Sequence, residues 1–341
     1  MRLNQSNPSL ADIVDRLRSP EAYPVPTARV EVKEAHWSWV FLTENFAYKL
    51  KKIDANQPLD TSTLESRSRN CQREVDLNRR LATNVYYGIV PITIDPAGVI
   101  RVEGEGAPID WLVKMRRLPA ERMLEWQIDH RTVHEKLFGR AIIALCKFYR
   151  QSSPATISAQ RYLDQLMMDL KQSFHELCIP LYAQPRELVC QVHESLLSYV
   201  DSHQEIFRTR VDEGRVVEAH GDLRPEHICL ESEPVFIDCL DFDARLRILD
   251  TASELSFLSL ECDRLGAGHL TDLIWPIYRE ICQDKPDRRL LHFYFAFHAS
   301  IRAMVSVWHL KDPNSNRDKW IERGHSYLKL AESRIQSLSM N

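Results

Sequence analysis

The stretch from His220 to Asp243, HGDLRPEHICLESEPVFIDCLDFD, constrains this chain more than any other. Apolar Val216 and Val217 lead into His220-Gly221-Asp222. A polar turn containing Pro225 follows, then the apolar triplet Ile228-Cys229-Leu230. A second polar turn, Glu231 to Pro234, leads to a second triplet, Val235-Phe236-Ile237, and then to Asp238, with Asp241 and Asp243 close behind. The pattern predicts two short strands joined by a turn. Such a pair can deliver Asp222 and Asp238 to one cleft. Carboxylates at buried strand ends serve as ligands or bases, because leaving them buried and unpaired is costly.

Composition removes several alternatives. At 341 residues the chain can form two lobes with a sizeable core. Hydrophobic content of 44% and charged content of 27% fit a soluble globular protein. A formal charge of −4 speaks against nucleic acid as a partner. The N-terminus, MRLNQSNPSL, has no apolar signal core, and the apolar runs read as too short to span a bilayer. A cytoplasmic protein with no membrane partner is expected. Eight cysteines without a CxxC pair read as buried thiols. Only ten glycines are present, with no GxxxxGK[ST] and no GxGxxG, so a Walker loop and a dinucleotide-binding fold are excluded.

Residues 1–28 carry a short helical pattern (Leu10, Ile13, Val14, Leu17) ended by prolines, and read as an N-terminal arm. Residues 29–53 read as consecutive strands. In Phe46 to Lys51 the alternation places Phe46, Tyr48 and Leu50 on one face and Ala47, Lys49 and Lys51 on the other. The bland alternative is that Lys49, Lys51 and Lys52 form a solvated face. Residues 61–82 read as a helix capped by Thr61 or Ser62, and residues 84–118 as strands with a turn at Asp95-Pro96-Ala97-Gly98. From residue 119 the chain reads as mostly helical: 131–149, 159–177, 186–208, 252–263, 288–310 and 320–338.

His220-Gly221-Asp222, the polar loop and Ile237-Asp238 together resemble the catalytic core of the aminoglycoside phosphotransferase family. That family includes choline-kinase-like enzymes and has the protein-kinase-like fold. The stretches EVKEAHWSWVFLTENFAYKLKK, CQREVDLNRRLA, VYYGIVPIT and LVKMRRLP look like a bacterial subgroup of unassigned substrate, and the resemblance covers about residues 29–310. It implies an α+β fold with two lobes: an antiparallel N-lobe sheet with one helix over 29–118, and a helical C-lobe over 119–341 holding the catalytic loop 220–243. It implies an ATP-dependent phosphotransferase acting on a hydroxyl of a small-molecule acceptor. Asp222 would receive the hydroxyl proton, and Asp238 would hold Mg²⁺. Lys49 of Ala47-Tyr48-Lys49, paired with Glu74, would reach the ATP phosphates. Ser38, with His36, stands where the family places a turn over the phosphates, and Met115 to Leu118 where backbone meets adenine. An acidic residue after the metal strand, Asp250 or else Glu254, would anchor the loop; an N-cap is the other role for Asp250. His298, Arg302 and His309 could line the acceptor pocket, with Glu254, Glu261, Asp263 and Asp272 available to a cationic acceptor.

The chain departs from the family at one position. The second metal ligand there is Asn, five residues after the catalytic Asp, and here it is His227. Imidazole suits Mn²⁺ better than Mg²⁺. His227 therefore leaves three readings: a one-metal or Mn²⁺-preferring enzyme, a phosphate contact, or a nucleotide-binding pseudokinase that acts as an interaction protein. A mononuclear hydrolase built on His220, Asp222, His227 and Asp238 is a fourth, but leaves Ala-x-Lys unexplained. The acceptor, ATP against GTP, and the oligomeric state are not legible in the sequence.

Overall fold

A computed structural model describes residues 8–35, 37–53 and 59–338. Contacts divide the chain into two units. One is Met1–Ala120 with Val235–Asp243, and the other is Glu121–Pro234 with Ala244–Asn341. The 220–243 stretch is thus shared between units rather than kept whole with the helical region.

The first unit begins with α1 (Leu10–Leu17). Ser9 and Asp12 cap each other's backbone there, and Ile13, Val14 and Leu17 are buried. Next come β1 (Glu31–Glu34), β2 (Ser38–Leu42), β3 (Phe46–Lys51), α2 (Leu64–Arg79), β4 (Tyr86–Ile94), β5 (Ile100–Val102) and β6 (Ala107–Arg116). The six strands form one antiparallel sheet in the order β1-β2-β3-β6-β4-β5. The alternation in β3 sets its two faces. Tyr48 and Leu50 join Ile13, Val14, Leu17, Phe41, Ile92 and Leu112 in the core, so the expected N-terminal arm is packed into this unit. Ala47, Lys49 and Lys51 take the opposite face. The cap of α2 is Thr63, not Thr61 or Ser62: its hydroxyl accepts from Ser66 N, and Ser66 returns the bond. Asp95 accepts from the amides of Ala97 and Val99, and Gly98 takes φ 82°, closing the turn between β4 and β5.

In the second unit the helices are α3 (Leu124–Asp129), α4 (Glu135–Gln151), α5 (Ala159–Leu177), α6 (Arg186–Ser202) and α7 (Gln204–Asp212). The single helix expected over 186–208 is broken at His203. That residue leaves helical geometry, stacks on Tyr199 at 4.3 Å, and its Nδ1 lies 3.0 Å from the Tyr199 carbonyl. Strands β7 (Val216–Glu218) and β8 (Ile228–Cys229) follow, while β9 (Val235–Phe236) belongs to the first unit. The chain continues with β10 (Ile248–Asp250), α8 (Thr251–Arg264), α9 (Thr271–Cys282), α10 (Arg288–Trp308) and α11 (Arg317–Ile335). β7 pairs antiparallel with β10, Val216 opposite Asp250. The end of β7 that leads into the HGD loop thus lies beside Arg247, and the start of α8 lies beside Arg215, whose carbonyl accepts from Thr251 N at 3.0 Å. Among the described residues, Arg288–Lys311 alone is long and apolar enough, by length and composition, to cross a membrane; 67% of its apolar window is buried inside the protein. Phe293, Tyr294, Phe297 and Val307 of α10 share a core with Tyr327, Leu328 and Ala331 of α11.

Candidate functional site

In the first unit the candidate residues meet on one face of β3. Lys49 Nζ lies 2.9 Å from Glu74 Oε1 and 2.6 Å from Asp238 Oδ1. Glu74 sits mid-helix in α2, in a buried stripe with Cys71, Val75 and Asn78. A glutamate in an apolar stripe needs a partner, and two lysines supply it. Lys51 Nζ is 2.5 Å from Glu74 Oε2 and 2.5 Å from Asp241 Oδ2. Burial alone would lower the ammonium pKa values of both lysines. Asp238 and Glu74 outweigh it at Lys49, Glu74 and Asp241 outweigh it at Lys51, and both are raised. Burial pushes the Glu74 carboxyl up, but Lys49 and Lys51 hold it below the usual range. Lys49, Lys51 and Glu74 are therefore all charged at neutral pH.

The backbone of Asp238 is left-handed, with φ 61°. Asp tolerates this region better than most residues, yet it is uncommon and tends to mark functional sites. The turn is held from two elements of the same unit: Asp238 N donates to the Tyr86 hydroxyl at 3.1 Å, and Cys239 N to Asn78 Oδ1 at 2.9 Å. Asn78 is one helical turn after Glu74, so one face of α2 positions both the lysines and the Asp238 turn. Ser38 is buried on β2 opposite Lys51. Met115 is buried on β6 opposite Ala47, and Leu118 is half-buried beyond the strand end. His36 lies outside the described residues.

In the second unit the HGD loop is held by a buried carboxylate. Gly221 takes φ 87° and its N–H donates to Glu254 Oε1 at 2.7 Å, while Tyr149 Oη donates to Glu254 Oε2 at 2.6 Å. Glu254 is thus the loop anchor. Asp250 does something else: it caps α8 through Ala252 N and takes Arg210 at 2.6 Å. His220 is fully buried, and its Nδ1 accepts from Asp222 N at 3.3 Å. Asp222 Oδ2 lies 2.8 Å from Arg224, whose other terminal nitrogen is 2.6 Å from Glu226. Burial would raise the Asp222 carboxyl, but Arg224, His227 and Arg302 hold it below the usual range. His227 Nδ1 lies 2.8 Å from the Asp222 carbonyl, and its Nε2 lies 3.4 Å from Arg224 and 3.6 Å from Glu226. Both ring nitrogens have partners in their own loop.

The proposed acceptor residues are mostly engaged elsewhere. His298 Nε2 meets Ser253 Oγ at 2.8 Å, and burial pushes its pKa down to about 3. Glu261 is buried among Arg264, Arg302 and Tyr327; Asp263 pairs with Arg334; His309 stacks on Trp320. Asp272 is exposed.

These placements can be set beside known proteins. No family model matches the chain. Uncharacterised proteins of Mycobacterium tuberculosis and Mycobacterium bovis are 29% identical over 294 residues, 84% of this chain. The chain spans 56% of the length of these curated relatives. Among solved structures, a choline/ethanolamine kinase family protein from Mesorhizobium loti matches with a TM-score of 0.56 at 14% identity, covering 96% of this chain and 98% of that one. A choline kinase from Cryptosporidium parvum matches with a TM-score of 0.55 at 10% identity, covering 94% and 95%. A thermostable mutant of an aminoglycoside phosphotransferase matches at 0.54 and 8% identity, covering 93% and 97%. The fold is that of the choline kinases and aminoglycoside phosphotransferases.

Three features of the site are not visible in the sequence. Lys51 was visible as a face-mate of Lys49, but its pairing with Asp241 spans 190 positions and has no local signal. Arg224 carried only its charge as a clue. Tyr86 and Asn78 act through polar atoms on residues that read as strand and helix filler.

Proposed function

We propose that the chain is an ATP-dependent phosphotransferase acting on a hydroxyl of a small molecule. The observation that carries this reading is the constellation of Lys49 on β3, Glu74 on α2 and Asp238 just after β9, in a kinase fold. Phosphoryl transfer asks a protein mainly for positioning and charge neutralisation. A buried, charged Lys49 suits a polyphosphate, and Glu74 holds it in place. The partly exposed Asp238 carboxylate suits a hard cation. When bound, such a cation would neutralise phosphate charge. Among the described residues no group of three or more His, Cys, Asp and Glu side chains is arranged to hold a metal ion by itself. Mg²⁺ is commonly held by one or two carboxylates together with substrate phosphates, so Asp238 is a fitting donor without such a cage. His227 fits less well, because its ring is engaged with the Asp222 carbonyl, Arg224 and Glu226.

Asp222 is assigned to the acceptor hydroxyl, orienting it and taking its proton. The carboxylate is ionised at neutral pH, as that role requires. Its ion pair with Arg224 must loosen for it to act. That ion pair and the engaged His227 favour a second reading, a nucleotide-binding pseudokinase. A thermal-shift titration with ATP plus Mg²⁺ and ATP plus Mn²⁺, followed by an ADP-release assay with hydroxyl acceptors, separates the two. The phosphotransferase reading expects a metal-dependent shift that Asp238→Ala abolishes, and acceptor-dependent ADP release that Asp222→Asn abolishes. A shift without release under any acceptor supports the pseudokinase. No shift with any nucleotide sinks both.

A further inference from the structure

The cluster on β3 contains two lysines and three carboxylates, one lysine more than the proposed chemistry uses. Its two halves differ in access. Lys49 bridges Glu74 to Asp238, whose side chain is 47% exposed. Lys51 bridges Glu74 to Asp241, whose side chain is 15% exposed. Each Glu74 oxygen therefore serves one lysine. Each lysine also ties a different point of the loop after β9 to the sheet, Asp238 at the left-handed turn and Asp241 three residues on.

We infer that Lys51 and Asp241 form a fixed anchor that keeps the Asp238 turn in place while Lys49 exchanges carboxylate for phosphate. The inference rests on the phosphotransferase reading and makes both residues positioning residues. The physical need is plain. For Lys49 to reach a phosphate and Asp238 a cation, their mutual bond must open. Without Lys51, buried Glu74 would at that moment keep only a partner that is turning away, and an unpaired buried carboxylate is strongly unfavourable. Without Asp241, the turn would lose its tie to Lys51 as the tie to Lys49 opens. Charge balance agrees. The cluster has one negative charge in excess as it stands, and a divalent cation at Asp238 reverses the excess, which suits a polyanion.

The test is ATP binding by calorimetry, in EDTA and across a Mn²⁺ series, on Asp241→Asn, Lys51→Met, Lys51→Arg and Lys49→Met. For Asp241→Asn and Lys51→Met the Mn²⁺ concentration giving half-maximal nucleotide affinity should rise about tenfold or more, as for other residues that orient a metal ligand. The ATP affinity of Asp241→Asn in EDTA should stay near wild type, and Lys51→Arg should restore most of the Mn²⁺ response. Lys49→Met should weaken ATP in both conditions. If Lys51→Met weakens ATP equally with and without metal, Lys51 is itself a phosphate ligand and the anchor is overturned. An unchanged Mn²⁺ midpoint in Asp241→Asn overturns it as well. Asp241→Asn keeps the side-chain shape and carries the test if Lys51→Met does not fold. Failure of the wild-type chain to bind nucleotide at all would instead remove the phosphotransferase reading beneath it.

Discussion

Each unit holds a cluster of buried charge, and the two are built for different ends. In the first unit Lys49 and Lys51 share Glu74 and reach out to Asp238 and Asp241. In the second, Arg210 takes Asp250 at 2.6 Å and Asp284 at 2.7 Å, with the Tyr278 and Tyr294 hydroxyls donating to the carboxylates. Both clusters surround cations with surplus carboxylate. They differ in access: side chains in the Arg210 cluster are at most 6% exposed, while Asp238 is nearly half exposed. A closed cluster can only hold helices together. An open one can trade a partner with a ligand.

The largest expected effect breaks the closed cluster. Arg210→Leu strands two buried carboxylates and should cost about 3–5 kcal/mol of stability, read by urea unfolding. An effect below about 1 kcal/mol would show that the cluster is not closed. The open cluster should answer differently. Asp238→Asn, which tolerates the same left-handed turn and leaves Lys49 its bond to Glu74, should leave the unliganded melting temperature nearly unchanged. It should also remove the metal-dependent stabilisation by ATP, about 2.7 kcal/mol at a hundredfold excess over Kd. Between these extremes lies the loop anchor. Tyr149→Phe removes one donor from buried Glu254 and should cost about 1.5–3 kcal/mol, with a fall in ADP release as the Gly221 turn loosens.

The smallest effect concerns a carboxylate with no close cation. Burial pushes the Asp169 carboxyl up to about 6, against a hydrogen bond from Gln165 and the weaker pull of Arg245. The folded state then holds this proton more tightly than the unfolded state. The stability it contributes is full below the ordinary carboxylate range and is lost as pH rises through about 6. Asp169→Asn should therefore leave the melting temperature unchanged near pH 4 and raise it near pH 8, by scanning fluorimetry. A raised melting temperature at both pH values would mean that packing, not charge, limits this site.

Much of this fold was legible because its signals are local. The alternation Phe46-Tyr48-Leu50 against Ala47-Lys49-Lys51 sets both faces of β3, and Glu74 falls in a stripe spaced as a buried helix face. The choice between Asp250 and Glu254 was not legible. The register of β7 with β10 sets Asp250 opposite Val216, four residues before His220, and it is Glu254, one turn into α8, that meets the Gly221 amide. The break at His203 was missed because apolar spacing runs through it, and the aromatic stack on Tyr199 leaves no mark in periodicity. The Lys51–Asp241 tie and the Arg224–Asp222 pair depend on distances that no sequence pattern encodes.

The apolar face of α10 has a consequence for how the chain is made. Leu328, Ala331 and Ile335 of α11 are buried in the core that α10 fills, and α11 leaves the ribosome last of the described helices. Until it does, a segment apolar enough to enter a bilayer has lost part of its cover. The second unit therefore completes its core only once α11 has been made. A chain cut near residue 312 should be captured by chaperones or aggregate rather than persist as a smaller folded protein.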